Sequence, residues 1–427
     1  MAIPIPTGTF DILPEDPKEL WRSSHLWNYV ESVLRSHARL YGFEEIRTPL
    51  FERIELFKRS VGDTSDIVSK EMYDFEDKGG RHLALRPEGT ASVIRSFVEK
   101  QLHTQKAQHR LFYIGPMFRY ERPQSGRYRQ HHQFGVEVLG AARPELDAEL
   151  IEMCVSLYEK LGLQNLSVYI NSLGDKETRV TFKERLKAYL QPKLSELSAE
   201  SQRRFETNPL RIFDSKDEKD KEIIKGAPTI LDCLTPECEA HFSAVRKVLD
   251  HLGIRYEVNA QLVRGLDYYT KTVFEITSGE LGAQNTVGAG GRYDGLVKDL
   301  GGPDIPGIGF ATGIERILQT MLAQQAPTPP RHTPHLYLIG LGDEALYKAF
   351  SLAKEMRKNG TVCLVDMSGK KLKTAMQIAS ESGAHFSLVL GENELATGAC
   401  DLKEMATGQI TKIALQELPL FFTTRYQ

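Results

Sequence analysis

Within residues 110–132 the chain places five arginines (Arg110, Arg119, Arg122, Arg127, Arg129) and two histidines against a single acid, Glu121. Guanidinium groups at that density suit a polyanion, such as a nucleotide triphosphate or a nucleic-acid backbone. The turn residues Pro123 and Gly126 interrupt the run, so 112–140 reads as an apolar strand, a cationic loop and a returning strand. Gln133 and Glu137 stand four apart on the returning strand and therefore face the same side of a sheet. A polyanion clamp thus lies beside a neutral and an acidic group able to read a second, smaller ligand.

The elements around this hairpin have their own signals. Asp16, Pro17 and Glu19 predict a helix start. Leu26, Val30, Val33, Leu34, His37 and Tyr41 keep a helical period until Gly42. The strand-like run that follows contains Pro49, which cannot donate to a central ladder, so an edge or interface position is expected. Residues 81–98 predict a loop leading into a helix, 144–161 a helix and 166–171 a strand. From about 175 to 253 the texture becomes helical and thick with mixed charge, which reads as an insertion. Strands resume near 255–263 and 272–277, followed by a glycine-rich turn at 287–296. A helix from about 312 closes the first domain, 1–325. Its apolar stripe is Ile314, Ile317, Leu318, Met321 and Leu322, and Arg316 lies off it. Four prolines mark a linker at 326–334. Short strands alternating with helical stretches predict a small α/β domain at 335–427.

Composition narrows the function classes. Of 427 residues, 41% are hydrophobic and 26% charged, ordinary for a globular protein of two or three domains. No apolar run approaches the roughly 18 residues of a membrane span. The opening residues lack a basic region followed by an apolar one, so no signal peptide is expected. Five scattered cysteines fit a reducing cytoplasm. The net charge of −3 argues against indiscriminate nucleic-acid binding but leaves room for a structured RNA on local basic patches. Cys233, Cys238 and His241 invite a zinc site, yet their spacing is irregular and no fourth ligand is evident. The expectation is unligated thiols and no protein-held metal. There is no P-loop and no strand–GxGxxG–helix unit. If ATP binds, arginines hold it, with Arg119, Arg127 and Arg316 the candidates.

The order of these features resembles class II aminoacyl-tRNA synthetases. The long helix with its proline-bearing strand, FRYERPQSGRYRQHHQFGVEVLG and GIGFATGIERI stand as that class's motifs 1, 2 and 3, while the class I strings HIGH and KMSKS are absent. Leu-Val-Arg-Gly-Leu-Asp-Tyr-Tyr at 262–269 and Ala-Gly-Gly-Arg-Tyr-Asp at 289–294 are similar to the histidyl-tRNA synthetase family. So are the opening GTFDILPED and Arg-Pro-Glu-Gly-Thr at 86–90. The resemblance implies an α+β fold: an antiparallel sheet flanked by helices, a helical insertion over the acceptor stem, and a C-terminal α/β anticodon-binding domain. It departs from the family at Tyr120, often histidine, and Ser125, often lysine.

The resemblance also implies roles. Arg119 would bridge the ATP α-phosphate and the amino-acid carboxylate, with Glu121, Arg127 and Arg316 completing the ATP site. Glu88, Thr90 and Gln133 would hold the α-ammonium group. Glu137 and Tyr269 would bracket the imidazole, with Tyr268 and Tyr293 in the same pocket. Arg264 would face the α-phosphate opposite Arg119. Pro49 would lie at a homodimer interface. The implied partners are ATP with Mg²⁺, L-histidine and tRNA(His), in the cytoplasm and without a membrane. The alternative is a non-catalytic paralogue, the regulatory subunit of ATP phosphoribosyltransferase. Such paralogues usually lack the C-terminal domain and have eroded ATP-binding arginines, whereas this chain carries both.

Overall fold

The computed structural model describes residues 3–62, 65–122, 126–207, 209–215, 217–280 and 285–426. Pro123 and Ser125 of the cationic loop lie outside the described residues. Chain contacts divide it into two units, Met1–Pro329 and Pro330–Gln427.

The first helix, α1 (Ser24–Leu40), buries Leu26, Trp27, Val30, Val33, Leu34, His37 and Ala38 as one stripe. It begins later than the Asp16 signal predicts. Asp16 Oδ1 does accept from the backbone N–H groups of Lys18 and Glu19, but the chain runs on through a short 3₁₀ turn at Leu20–Arg22. Two short strands follow, β1 (Glu44–Glu45) and β2 (Phe51–Arg53), then α2 (Ile54–Val61). Pro49 lies between the two strands rather than within one, and both are edge strands of their sheets.

Next come β3 (Asp74–Glu76), β4 (His82–Leu85), α3 (Thr90–Glu99), β5 (His109–Phe118), β6 (Gln130–Leu139), α4 (Pro144–Lys160) and β7 (Leu166–Ser172). The insertion contributes α5 (Lys176–Leu190), α6 (Ala199–Thr207), α7 (Glu218–Ile224) and α8 (Pro236–His251). Then β8 (Glu257–Val258), β9 (Thr270–Ser278), β10 (Thr286–Arg292), α9 (Leu296–Asp299), β11 (Gly307–Gly313) and α10 (Ile314–Ala323) complete the unit.

Eight strands form one sheet in the order β1-β5-β6-β11-β10-β9-β7-β8, antiparallel through its centre from β5 to β7. One face carries Phe112, Phe134, Val136, Val138, Phe274, Ile276, Ile308 and Phe310, packed with the apolar stripes of α1, α4, α8 and α10 into the main core. Side chains alternate across a strand, so the other face shows what alternates with them. There Gln133, Gly135 and Glu137 pair with Gly313, Ala311 and Gly309, and Ala311 and Gly309 pair in turn with Ala289 and Gly291. A floor of glycine and alanine between bulkier walls makes a depression in the sheet.

The glycine-rich run predicted as a turn is therefore the central strand β10. Its glycines answer to crowding. A Cβ at Gly288 would meet the Tyr158 hydroxyl, at Gly290 the Phe310 side chain and Gly309 carbonyl, and at Gly291 the Thr272 carbonyl. Within the insertion, Phe182, Leu186, Leu190, Phe205 and Ile224 form a separate core that also takes in Leu262, Tyr269 and Val273. The last insertion helix, α8, sides with the main core through Phe242, Val245 and Leu249.

The second unit holds β12 (Leu336–Gly340), α11 (Asp343–Lys358), β13 (Cys363–Val365), α12 (Leu372–Glu381), β14 (Phe386–Leu390), α13 (Glu392–Thr397), β15 (Ala399–Glu404), β16 (Ile410–Ala414) and α14 (Leu418–Tyr426). Its sheet order is β13-β12-β14-β15-β16, with the first three strands parallel. One face packs on α11 and α14, and the other on Ala375 and Ala379 of α12. No helix among the described residues is long and apolar enough to cross a membrane.

Candidate active site

The depression opens as a cavity of about 300 Å³ walled by Glu88, Thr90, Arg119, Glu121, Arg127, Gln133, Arg264, Tyr268, Tyr269, Tyr293 and Arg316. Residues separated by nearly two hundred positions meet because β6, β11 and β10 are neighbours in the sheet.

One end of the cavity is cationic. Arg119 leaves the end of β5 and donates through Nε to the Pro87 carbonyl at 2.9 Å. Arg127 Nε lies 3.1 Å from Glu121 Oε2. Arg316, in the first turn of α10, donates through Nη1 to the Thr286 carbonyl at 2.5 Å and through Nε to the Gly126 carbonyl at 3.3 Å. Burial pulls the Arg316 guanidinium below its usual range, and the nearby Arg127 and Arg119 charges push the same way, against Glu121 and Glu275. Three guanidinium groups thus crowd a site where their mutual repulsion calls for an anion. Arg264 stands apart from them and pairs with Glu275 Oε2 at 2.5 Å, while its Nε has no partner among the described residues.

The other end is aromatic and acidic. Glu88 closes the start of α3, its two oxygens accepting from Thr90 N–H at 2.6 Å and Ala91 N–H at 2.8 Å. Burial raises its pKa, against the pull of those bonds. Tyr268 lies over Tyr269 with ring centroids 4.8 Å apart and edge-on to Tyr293 at 5.8 Å. Just after Tyr268 and Tyr269 the strand β9 bulges: Lys271 sits at φ 45°, and the pairing with β10 shifts register there. Gln133 Oε1 is buried with no partner among the described residues. An orphaned acceptor in a cavity wall is where a ligand donor would go.

Glu137 departs from expectation. Its carboxylate is not on the wall but just beneath it, 1% exposed. Oε1 accepts from the Thr90 hydroxyl at 2.6 Å, and Oε2 is bonded by the Tyr293 hydroxyl. Burial pushes its pKa up to about 8, with nearby Glu88 adding to the shift and its hydroxyl partners opposing it. The space it fills lies over Gly309, where a Cβ would collide with the carboxylate. Pro49 lies outside the cavity altogether, in a separate groove with Arg47, Glu52 and Arg95.

Several wall residues carry no sequence signal of their own. Tyr113 faces Gly135 across the hairpin, and a Cβ on that glycine would strike its ring. His131 lines the cavity with its pKa pulled well down, chiefly by burial and then by Arg119. Glu315 also reaches the wall, accepting from the His132 backbone at 2.8 Å. The one usable hint was Gly135, midway between Gln133 and Glu137 on the same face. Cys233 and Cys238 are buried and unpaired, and Cys238 Sγ lies 3.4 Å from Asp175 Oδ2. Among the described residues no group of three or more His, Cys, Asp or Glu side chains could hold a metal.

The family model for histidyl-tRNA synthetase matches residues 8–317. The chain belongs to the histidyl-tRNA synthetase family. A second model, the anticodon binding domain, matches residues 335–425. The histidine–tRNA ligase of Protochlamydia amoebophila is 57% identical over 98% of this chain and 99% of its own length. That of Bacillus subtilis is 46% identical over 98% and 97%. The crystal structure of apo histidyl-tRNA synthetase from S. aureus superposes with a TM-score of 0.83 at 38% identity, covering 99% of this chain and 100% of that one. A Bacillus halodurans protein described as an ATP phosphoribosyltransferase regulatory subunit/histidyl-tRNA synthetase shares the fold, with a TM-score of 0.65 at 21% identity over 92% of this chain and 99% of its own.

Proposed function

We propose that this member of the histidyl-tRNA synthetase family is a histidine–tRNA ligase that activates histidine with ATP and transfers it to the 3′ end of tRNA(His). The observation that carries the reading is the division of one cavity into a guanidinium end and an aromatic, carboxyl-backed end. Full-length kinship with proteins named histidine–tRNA ligase supports the same reaction over the regulatory alternative. So do Arg119, Arg127, Arg264 and Arg316, all present on the cavity wall.

In the first step a histidine carboxylate oxygen bonds to the α-phosphorus, and the bond from that phosphorus to the β-bridging oxygen breaks, releasing pyrophosphate. The attacking carboxylate is already ionised, so no general base is needed. What the site must do is bring two anions together and stabilise the charge of the five-coordinate phosphorus. Fixed guanidinium groups do both. Arg119 and Arg264 approach the reacting centre, while Arg127, seated by Glu121, and Arg316 hold the outer phosphates. Mg²⁺ enters with ATP as part of that substrate.

At the other end Glu88, Thr90 and Gln133 take the α-ammonium group. Tyr268, Tyr269 and Tyr293 surround the imidazole, and Glu137 accepts its N–H after giving up the Tyr293 hydroxyl. A pocket that leaves buried polar groups unpaired without the right ligand discriminates by about 10⁴–10⁵. In the second step the terminal ribose hydroxyl of tRNA attacks the carbonyl carbon and AMP leaves, with the anticodon read by the unit that contains 335–425.

The protein acts in the cytoplasm as a homodimer. The support for the dimer is the exposed apolar surface beside Pro49, where Leu50 is 43% and Phe51 52% exposed. Pyrophosphate exchange across the twenty amino acids tests the assignment: histidine alone should drive it, and exchange driven by another amino acid would overturn it.

A further inference from the structure

The segment 6–10, which runs into the GTFDILPED string at Gly8, is left unused by the proposed chemistry, yet it touches the cationic hairpin at its most consequential place. Thr9 N–H and its hydroxyl both donate to the Pro6 carbonyl, at 3.2 and 2.7 Å, forming a tight turn with Gly8 at φ 84°. The Gly8 carbonyl then accepts from the Arg129 backbone N–H at 2.7 Å. The Arg129 carbonyl in turn accepts from the Arg119 backbone N–H at 2.9 Å. Segment 6–10 therefore adds an outer rung to the base of the loop, one peptide away from Arg119.

Phe10 completes the contact. Its ring meets Tyr128 edge-on at 5.0 Å and the buried Trp21 edge-on at 4.8 Å. Tyr128 stands between Arg127 and Arg129 on the returning arm and lines the cavity. On its far side the Tyr128 hydroxyl accepts from Gln319 Nε2 of α10 at 2.9 Å, one turn along from Arg316. A ring clamped at both ends loses the freedom that a cationic loop residue otherwise has. Side-chain and backbone ordering of that kind costs free energy at binding unless the fold has already met it.

We infer that segment 6–10 is a positioning element for the ATP grip: by bonding Arg129 and packing Phe10 on Tyr128, it seats the returning arm that carries Arg127 and the strand end that carries Arg119. This rests on the reading of those arginines as phosphate-holding groups. Phe10 touches no substrate and acts through Tyr128 and its neighbours.

The test is pyrophosphate-exchange kinetics on Phe10→Ala, Phe10→Tyr, Arg127→Ala and the Phe10→Ala/Arg127→Ala double variant, with melting temperatures alongside. Phe10→Ala should raise the KM for ATP about tenfold while the KM for histidine stays within about twofold. Phe10→Tyr, which keeps the ring, should restore it. The double variant should lose less than the product of the two single effects, because both changes act on one arm. An unchanged ATP KM in Phe10→Ala, beside a raised one in Arg127→Ala, would overturn the inference. So would a parallel rise in both KM values with a fallen melting temperature, which marks a general loss of packing, or effects that multiply in the double variant. An Arg127→Ala protein with unaltered ATP KM would bring down the arginine reading itself, and this inference with it.

Discussion

Glu275 on β9 joins two cations that never touch each other. Its Oε2 accepts from Arg264 Nη1 at 2.5 Å, and its Oε1 is bonded by the Thr286 hydroxyl, whose own carbonyl accepts from Arg316. One carboxylate thereby sets the orientation of Arg264 and ties it, through Thr286, to the seat of Arg316.

Glu275→Gln should consequently slow adenylate formation without loosening either substrate in proportion. The charge-assisted bond it loses is worth about 1.5–3 kcal/mol, or roughly 10–150-fold. The expected outcome is a kcat reduced within that range in pyrophosphate exchange, with the histidine KM little moved. A variant with wild-type kcat would show that Arg264 needs no such support.

Arg264→Ala removes the oriented group itself. Losing one preorganised cation at a reacting centre typically costs about 10²–10³ in rate. Pyrophosphate exchange should fall by that factor with only a small fall in melting temperature, since Arg264 lines the cavity and its ion pair with Glu275 is part-exposed, at 24% and 17%. Near wild-type exchange would remove Arg264 from the chemistry.

The buried Glu137 makes stability depend on pH. Its carboxyl is raised from an ordinary 4.5 to about 8 by burial, so the folded chain holds a proton that the unfolded chain releases. The stabilisation from that proton is complete below the unfolded pKa and disappears as pH climbs through the folded one. Between about pH 4.5 and 8 the ligand-free protein should lose stability with a slope of up to about 1.4 kcal/mol per unit from this group. Denaturant melts of wild type and Glu137→Gln across that window check it: the amide, which does not titrate, should flatten the slope. Equal slopes would contradict the shift.

Much of this arrangement is written in short-range pattern, and the rest is not, for physical reasons. The stripe on α10 is legible because Ile314, Ile317, Leu318 and Met321 must all reach one core. The cationic hairpin is legible because five arginines against a single acid stand out in the sequence itself. The strand β10 is not, because glycine marks a turn when read alone. Its glycines are demanded by Tyr158, Phe310 and the Thr272 carbonyl, residues distant in sequence. Glu137 was legible as the right residue on the right face. That both its oxygens are held internally depends on Thr90 and Tyr293, which only the folded sheet brings to it. Tyr113 and His131 hide in an apolar strand and a basic run, and only the cross-strand register exposes them.

Gly309→Ala tests the crowding argument. The new methyl would press on the Glu137 carboxylate and the Val136 carbonyl. Overpacking of this kind costs about 1–3 kcal/mol. A lowered melting temperature together with a raised histidine KM is expected, and an unchanged protein would mean that the sheet yields more readily than its packing indicates.

The central claim is that one cavity keeps its two substrates at opposite ends, with Glu137 at the histidine end. Calorimetric titration of Glu137→Gln with histidine and, separately, with ATP tests this most directly. With the titrations run above pH 8, where the Glu137 carboxyl is ionised, the amide should weaken histidine binding by roughly 10–150-fold, the worth of a charge-assisted bond, while ATP, assigned to Arg119, Arg127 and Arg316, should bind as before. Unchanged histidine affinity, or ATP affinity falling as far as that for histidine, would contradict the division of the site.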